Sequence, residues 1–381
     1  MPRNRKKIIR ACTVAQSTTF FADIMRKMRK DGYEMIAVTS PGAQLDALRE
    51  KDGFVCYAVP MERHIAVWKD VKSLFHLIRV FRRERPYIVH SITPKAGLLC
   101  MMAAWLTRVP VRIHTFTGLV WPTATGVKRR ILMLTDWLTC ACATHVIPEG
   151  QGVLHDLRNG GITKKPMQVL GYGNVSGVDM ERFNPARITD VQKEEGVFTF
   201  LFVGRIVGDK GINELVEAFV RLKEKYGSIR LVLVGSYEEN LDPVSPATKE
   251  SIDANPSIMA VGVKQGDDLV REYAQADCFV LPSYREGFPN GVMEAGAMGL
   301  PSVVTDINGS REIIINGENG LIVPAKDAET LEQAMERMLV DTEARERMCR
   351  NARELIASRY ERSFVQNCQI EFYQSLSPAL P

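Results

Sequence analysis

The chain has 381 residues, 45% of them hydrophobic and 25% charged, without a low-complexity tract; this predicts two globular domains and excludes a disordered protein. Its formal net charge of +4 hides a division, because residues 1–185 carry 28 Lys and Arg against 14 Asp and Glu, and the remainder 21 against 31. A basic first half and an acidic second half direct the first half toward an anionic partner, nucleic acid or lipid head groups.

KKIIRACTV (6–14) and YEMIAVTS (33–40) read as strands flanking a helical stretch, TFFADIMRKMRKDG. Arg10 interrupts the first apolar run after two isoleucines, so no export signal is expected. FVCYAVP (54–60), YIVHSIT (87–93), VRIHTFTG (111–118) and HVIPEG (145–150) continue the alternation of strands and helices. The longest apolar run, AGLLCMMAAWL (96–106), is about half of what spans a bilayer. The eight cysteines are scattered and form no C-x-x-C, which fits reduced thiols in a cytoplasmic protein.

YGNVSGVDMERFNP (172–185) lacks periodicity and reads as a linker. The strand pattern then restarts with TFLFVGRI (199–206), IRLVLVG (229–235), SIMAVGV (257–263), CFVLPS (278–283), PSVVTD (301–306) and GLIVP (320–324). From about Ala328 the chain reads as helix, with one break at 358–362. The expected class is α/β: two Rossmann-like, doubly wound domains facing a cleft. We place the first domain at 1–175, a hinge at 176–190, the second domain at 191–360 and a helical segment at 361–381, expected to pack back on the first domain.

GRIVGDKG (204–211) holds Arg205 and Lys210 among glycines, at a strand's end and before a helix. Glycine permits close backbone approach, the helix start offers N–H groups, and the two cations add full charge, a combination suited to a diphosphate. The bland alternative is that Arg205 pairs with Glu286 or another carboxylate and ties two loops together. Neither G-x-G-x-x-G after a first strand nor G-x-x-x-x-G-K-[ST] occurs, so ordinary NAD or ATP chemistry loses ground. In PSYREGFPNGVMEAG, Asn290 reads as an N-cap, with Glu294 in or just beyond the first turn and Glu286 on the preceding loop.

REGFPNGVMEAGAMGLPSVVTDINGSREIIINGENGLIVP (285–324) closely resembles the E-x7-E signature of the family-4 retaining glycosyltransferases, which have two Rossmann-like domains in the GT-B fold. GRIVGDKG resembles that family's diphosphate loop, and NVSGVDMERFNP its hinge, with Ser176 inserted. The resemblance implies that Arg205 and Lys210, with Gly204 beside them, neutralise the pyrophosphate of a sugar nucleotide as it leaves. It implies that Glu294 accepts from the ribose hydroxyls and that the base lies near Val263. Glu286, with Gly287, Phe288, Pro289 and Asn290, would hold the donor sugar and its phosphate.

In the first half, the resemblance implies that His114, expected at a strand end, meets the donor sugar as a catalytic contributor. Glu62 and Asp136 are alternatives that nothing in their spacing singles out. Many relatives have a Gly-Gly loop after the first strand; here TVAQSTTFF (13–21) has none, so Ser17, Thr18 or Thr19 would face donor or acceptor, with Thr117 a further acceptor-side candidate.

No D-x-D pair and no His/Cys cluster with ligand spacing occurs, so we expect no metal and no cofactor. Residues 66–86 and 127–138 are basic and amphipathic, which suits the anionic inner face of the cytoplasmic membrane and a lipid-linked saccharide acceptor rather than nucleic acid. HTFTGL and the segment near Asp242 resemble bacterial capsule, O-antigen and N-glycan transferases, which implies a UDP-sugar donor, an N-acetylated hexosamine first. A UDP-N-acetylglucosamine 2-epimerase and a non-catalytic two-lobed sugar-binding protein are the competing readings.

Overall fold

The structure, a computed structural model, describes residues 6–62, 64, 66–238 and 242–376. Every stretch read as a strand contains one. The chain divides into two units, Met1–Gly177 with Ser363–Pro381, and Val178–Arg362.

The first unit is built on a parallel sheet of β1 (Lys7–Ala11), β2 (Glu34–Thr39), β3 (Val55–Ala58), β4 (Ile88–Ile92), β5 (Val111–Phe116) and β6 (His145–Pro148), ordered β3-β2-β1-β4-β5-β6. Its strands are short apolar runs because helices cover both faces. The helices are α1 (Ala22–Lys30), α2 (Ala43–Glu50), α3 (Val67–Glu84), α4 (Pro94–Leu106), α5 (Gly126–Cys142) and α6 (Gln151–Asn159), joined by the chain's last helix, Arg362–Leu376. α3 to α6 share one core with Ile9, Ile36 and Val89 of the sheet. α1, α2 and the last helix share the other, with Ile8, Ile88 and Ile113.

The last helix is pinned by a polar cluster inside that second core. Arg10, 1% exposed, donates to Tyr373 Oη and lies 3.3 Å from His90 Nδ1. His90 Nε2 is 2.7 Å from Thr115 Oγ1. Burial, then the charge of Arg10, holds His90 well below the ordinary imidazole range, so the guanidinium has a neutral neighbour.

The second unit repeats the wiring with β7 (Phe198–Val203), β8 (Ile229–Val234), β9 (Ile258–Gly262), β10 (Cys278–Leu281), β11 (Ser302–Thr305) and β12 (Gly320–Val323), all parallel, ordered β12-β11-β10-β7-β8-β9. Around it lie α7 (Ile212–Lys225), α8 (Pro246–Ala254), α9 (Gly266–Gln275), α10 (Asn290–Ala297), α11 (Ser310–Ile313), α12 (Ala328–Val340) and α13 (Thr342–Tyr360). α7 buries Ile212, Leu215, Val216, Phe219 and Leu222, a stripe at three- and four-residue steps.

Two local expectations are corrected. The helical tail breaks at Asp341 as well as at Glu361, because the Asp341 carboxylate accepts from Ala344 N–H and caps α13. Asn290 is the first residue of α10 and not its cap; Pro289 holds that position with no capping side chain.

The strand order reverses between β7 and β10 in this unit and between β1 and β4 in the first. In open parallel sheets the loops at the carboxyl ends of such neighbours form the natural ligand crevice.

Candidate functional site

In the second unit, the loops flanking the switch point are 204–211 after β7 and 282–289 after β10. They are packed to a tolerance only glycine meets. Gly211 has φ +71°, and a Cβ there would stand 2.0 Å from the Pro282 carbonyl oxygen. Gly309 (φ +74°) is pressed as closely on Gly287, where a Cβ would fall 2.3 Å from the carbonyl oxygen. The two loops and the start of α11 thus form one tight cluster.

The cations within it are partnered by carboxylates. Arg205 Nη1 donates to Glu238 Oε2 at 2.8 Å and has Asp209 at 4.0 Å. Lys210 donates to Glu286, whose same oxygen accepts from Ser283 Oγ at 2.8 Å. Arg285 reaches Asp209 Oδ2 at 2.8 Å. The bland alternative for Arg205, a carboxylate tie, holds in part, with Glu238 rather than Glu286 as the partner. Asp242 shapes the loop from outside, accepting from Gly208 N–H on its carbonyl at 3.1 Å and from Asp209 N–H on its carboxylate at 2.6 Å. Such a lattice of alternating charges can exchange partners when another anion enters.

Glu294 sits on α10, five residues into the helix, and accepts from Tyr273 Oη at 2.9 Å. Burial pushes its carboxyl up to about 7, against the hydrogen bond from Tyr273 and the charges of Arg182 and Arg362. Near neutral pH it is therefore poised between acid and carboxylate. α10 carries no acidic residue in its first turn, so the positive end of the helix is not offset locally. Phe288 turns away from the loop and packs edge-on against Tyr360, ring centroids 5.3 Å apart. Gly287, Pro289 and Asn290 complete the segment between Glu286 and Glu294. Gly204 opens the β7 loop, and Val263, 59% exposed, follows β9.

The first unit treats its candidates differently. His114 is not at a strand end: it is the fourth residue of β5, 1% exposed, with Nδ1 2.9 Å from Ser91 Oγ and its ring edge-on to Phe116. Its ring lies on Gly97 of α4, where a Cβ would fall 2.4 Å from Cε1. Burial carries it down to about 3, so it is a neutral core residue. The sequence reading failed because the strand stops at Phe116, leaving Thr117, half-buried, as the residue past the strand end.

Residues 15–20 form a short 3-10 helix in place of a glycine loop. Thr18 Oγ1 donates to Ala15 O at 2.7 Å and Thr19 Oγ1 to Gln16 O at 3.0 Å, so both hydroxyls serve that turn; Ser17 is half-buried beside them. The carboxyl edge of β1 and β4 is knit instead by Thr13 and Thr93, their hydroxyls 2.7 Å apart, with Ser40 donating to Thr13 O at 2.7 Å. Thr93 has φ +72°, a strained conformation for a β-branched residue that concentrates at functional sites. No spacing pattern singles out Thr13, Ser40 or Thr93, because three strands far apart in sequence bring them together. Glu62 pairs with the exposed Lys69 at 2.7 Å, a surface contact. Asp136, buried on α5, is pushed up to about 7 by that burial. Among the described residues no group of His, Cys, Asp or Glu could hold a metal ion, and no helix is long and apolar enough to cross a membrane.

Residues 17–173 match the glycosyl transferase 4-like domain, and residues 185–355 match glycosyl transferases group 1. The chain is 31% identical over 368 residues to the capsular polysaccharide biosynthesis glycosyltransferase CapM of Staphylococcus aureus, covering 94% of each. It is 27% identical over 316 residues to an N,N'-diacetylbacillosaminyl-diphospho-undecaprenol alpha-1,3-N-acetylgalactosaminyltransferase of Campylobacter jejuni, covering 80% of this chain and 81% of that one. The solved structure of Anabaena Alr3699/HepE in complex with UDP shares the fold, with a TM-score of 0.80 at 16% identity over 97% of this chain and all of its own length (100%). On the full-length match and the two domain matches, the chain belongs to the family-4 glycosyltransferases of the GT-B fold.

Proposed function

We propose that this glycosyltransferase is a retaining, metal-independent enzyme that moves an N-acetylated hexosamine from a UDP-sugar to a lipid-linked saccharide in cell-surface polysaccharide synthesis. The observation that carries the reading is the pair of cations, Arg205 and Lys210, held at the switch point of the second unit beside the uncapped start of α10. The relatives support the acceptor class: the Campylobacter enzyme is named for an undecaprenol-diphosphate saccharide and for N-acetylgalactosamine transfer.

In this reading the diphosphate takes Lys210 from Glu286 and Arg205 from Glu238. Glu286 is then released toward the donor sugar, and ionised Glu294 accepts from the ribose hydroxyls. The bond between the anomeric carbon and the diphosphate oxygen breaks, its electron pair leaving with UDP. The acceptor hydroxyl oxygen forms the new bond on the same face, and its proton passes to the departing diphosphate. Positive charge fixed where the leaving group's charge develops lowers that barrier. The same cations supply what a metal ion supplies in other transferases, hence the proposed metal independence. His114 has no role in this scheme, and Thr117 and the Thr13–Thr93 edge are the acceptor-side candidates.

The test is incubation with a panel of UDP- and GDP-sugars and short lipid diphosphate saccharides, with and without EDTA. Released UDP together with a heavier glycolipid of retained configuration, undiminished by EDTA, is expected. Epimerised sugar nucleotide without transfer would replace this reading with the epimerase.

A further inference from the structure

Glu294 has two carboxylate oxygens, and the structure treats them differently. Oε2 accepts from Tyr273 Oη at 2.9 Å, whereas Oε1 has no hydrogen-bond partner among the described residues, and the side chain is only partly buried. An ionised carboxylate only accepts and has room for more than one donor, so the open oxygen is the one left for a ligand. Tyr273, on α9, is 0% exposed. Its ring stands edge-on to Phe183, centroids 5.8 Å apart, and tilts against Phe279 at 5.9 Å. With the ring held from two sides, the hydroxyl oxygen keeps its place and only its proton can swing.

That proton has two destinations. Tyr273 Oη lies 3.4 Å from the carbonyl oxygen of Gly291, one turn before Glu294 on α10, as well as 2.9 Å from Oε2. Glycine keeps this approach open, since a Cβ at 291 would stand 3.1 Å from Phe279 Cζ and 3.6 Å from Tyr273 Oη. Burial, and then the charge of Glu294, pushes the Tyr273 phenol well above its ordinary range, so the hydroxyl remains a donor. With Glu294 ionised, it donates to Oε2. With Glu294 protonated, the carboxyl O–H donates to Tyr273 Oη and the tyrosine proton turns to the Gly291 carbonyl. Neither state leaves the phenol without an acceptor, which is the costly outcome for a buried hydroxyl. The charges facing Glu294 are Arg182, ahead of α9, and Arg362, past α13, and both favour the carboxylate. Arg353 of α13 bonds the carbonyls of Met180, Phe183 and Ala297, and Glu312 of α11 accepts from Gly309 N–H.

We propose that Tyr273 is a positioning residue for donor binding: its hydroxyl holds Oε2 of Glu294 so that Oε1 meets the ribose hydroxyls, and it hands its own hydrogen bond to Gly291 when Glu294 takes up a proton from solvent. The presentation of Oε1 rests on the ribose contact proposed for Glu294; the switch of hydrogen bond does not. The bond from Tyr273 favours the ionised form of Glu294, so its loss raises the pH at which that carboxyl titrates. In Tyr273→Phe the acid-side midpoint of UDP binding should rise by about one pH unit, which weakens UDP about fivefold near pH 7.

The full chain, Tyr273→Phe, Glu294→Gln and the double variant are compared by calorimetric binding of UDP and of 2′,3′-dideoxy-UDP across pH, and by the carboxyl infrared band that Glu294→Gln removes. Tyr273→Phe should raise the infrared midpoint, weaken UDP on the acid side and leave dideoxy-UDP unchanged. In the Glu294→Gln background it should weaken UDP no further, because its effect passes through the carboxylate. An infrared midpoint that stays in place would overturn the proposal. So would an equal loss of UDP affinity in the Glu294→Gln background, since the phenol would then act by packing alone. If the unaltered chain binds UDP and dideoxy-UDP alike while Tyr273→Phe still moves the midpoint, the ribose contact is defeated and the hydrogen-bond switch is upheld.

Discussion

The two units share one strand order but differ in the chemistry of their switch points, one charged and one neutral. Between β7 and β10 the loops carry Arg205, Lys210 and Arg285 against Asp209, Glu238 and Glu286. Between β1 and β4 the matching edge is neutral, made of Thr13, Ser40 and Thr93. In the proposed reading a diphosphate requires charge, and its loop satisfies the cations meanwhile with carboxylates. A neutral saccharide hydroxyl requires only hydroxyl and amide partners. The fold supplies the crevice in both units, and the loop chemistry decides what each can bind.

The largest predicted effect breaks the charged side. Lys210→Ala or Arg205→Ala should lower kcat for sugar transfer by about 10²–10³, the usual cost of deleting one preorganised charge donor, measured by nucleotide release. In the first unit the corresponding loss is one of packing. Gly97→Ala forces a methyl onto the His114 ring, and overpacking of this kind costs about 1–3 kcal/mol, visible as a lower unfolding midpoint with unchanged donor affinity.

Next comes pH. Burial raises Glu294 to about 7; if it accepts from the ribose as a carboxylate, as proposed, donor binding releases a proton on the acid side. Affinity should weaken by up to about tenfold per pH unit below 7, and Glu294→Gln should flatten that profile. Stability runs the other way. The folded value lies above the ordinary carboxylate value, so this group's contribution is fully present below about 4.5 and lost as pH rises through about 7. The smallest effect sharpens the exchange idea: Glu238→Gln removes the competitor for a half-buried Arg205, and donor affinity should rise by no more than about fivefold.

Much of this was legible from residue order alone. Each strand announced itself as a β-rich apolar run between turn residues, and GRIVGDKG and PSYREGFPN lie in the two loops beside the second switch point. Local patterns carry that information. What the residues could not disclose was partnership across distance: Glu238 rather than Glu286 on Arg205, Tyr273 on Glu294, and Asp242 bracing residues 208–209. His114 misled because a three-residue shift along a strand moves a side chain from the crevice edge into the core. The exposure of Trp68, Trp105 and Trp137, on helices whose other apolar residues largely face the sheet, is likewise set by packing rather than by spacing.

The central claim is that Arg205 and Lys210 trade carboxylates for a diphosphate, and a crystal structure with a bound, unreacted UDP-sugar tests it most directly. The account predicts diphosphate oxygens within hydrogen-bond distance of both cations, with Glu286 parted from Lys210 and turned to the sugar. A diphosphate bound elsewhere, with the Lys210–Glu286 pair intact, would contradict it.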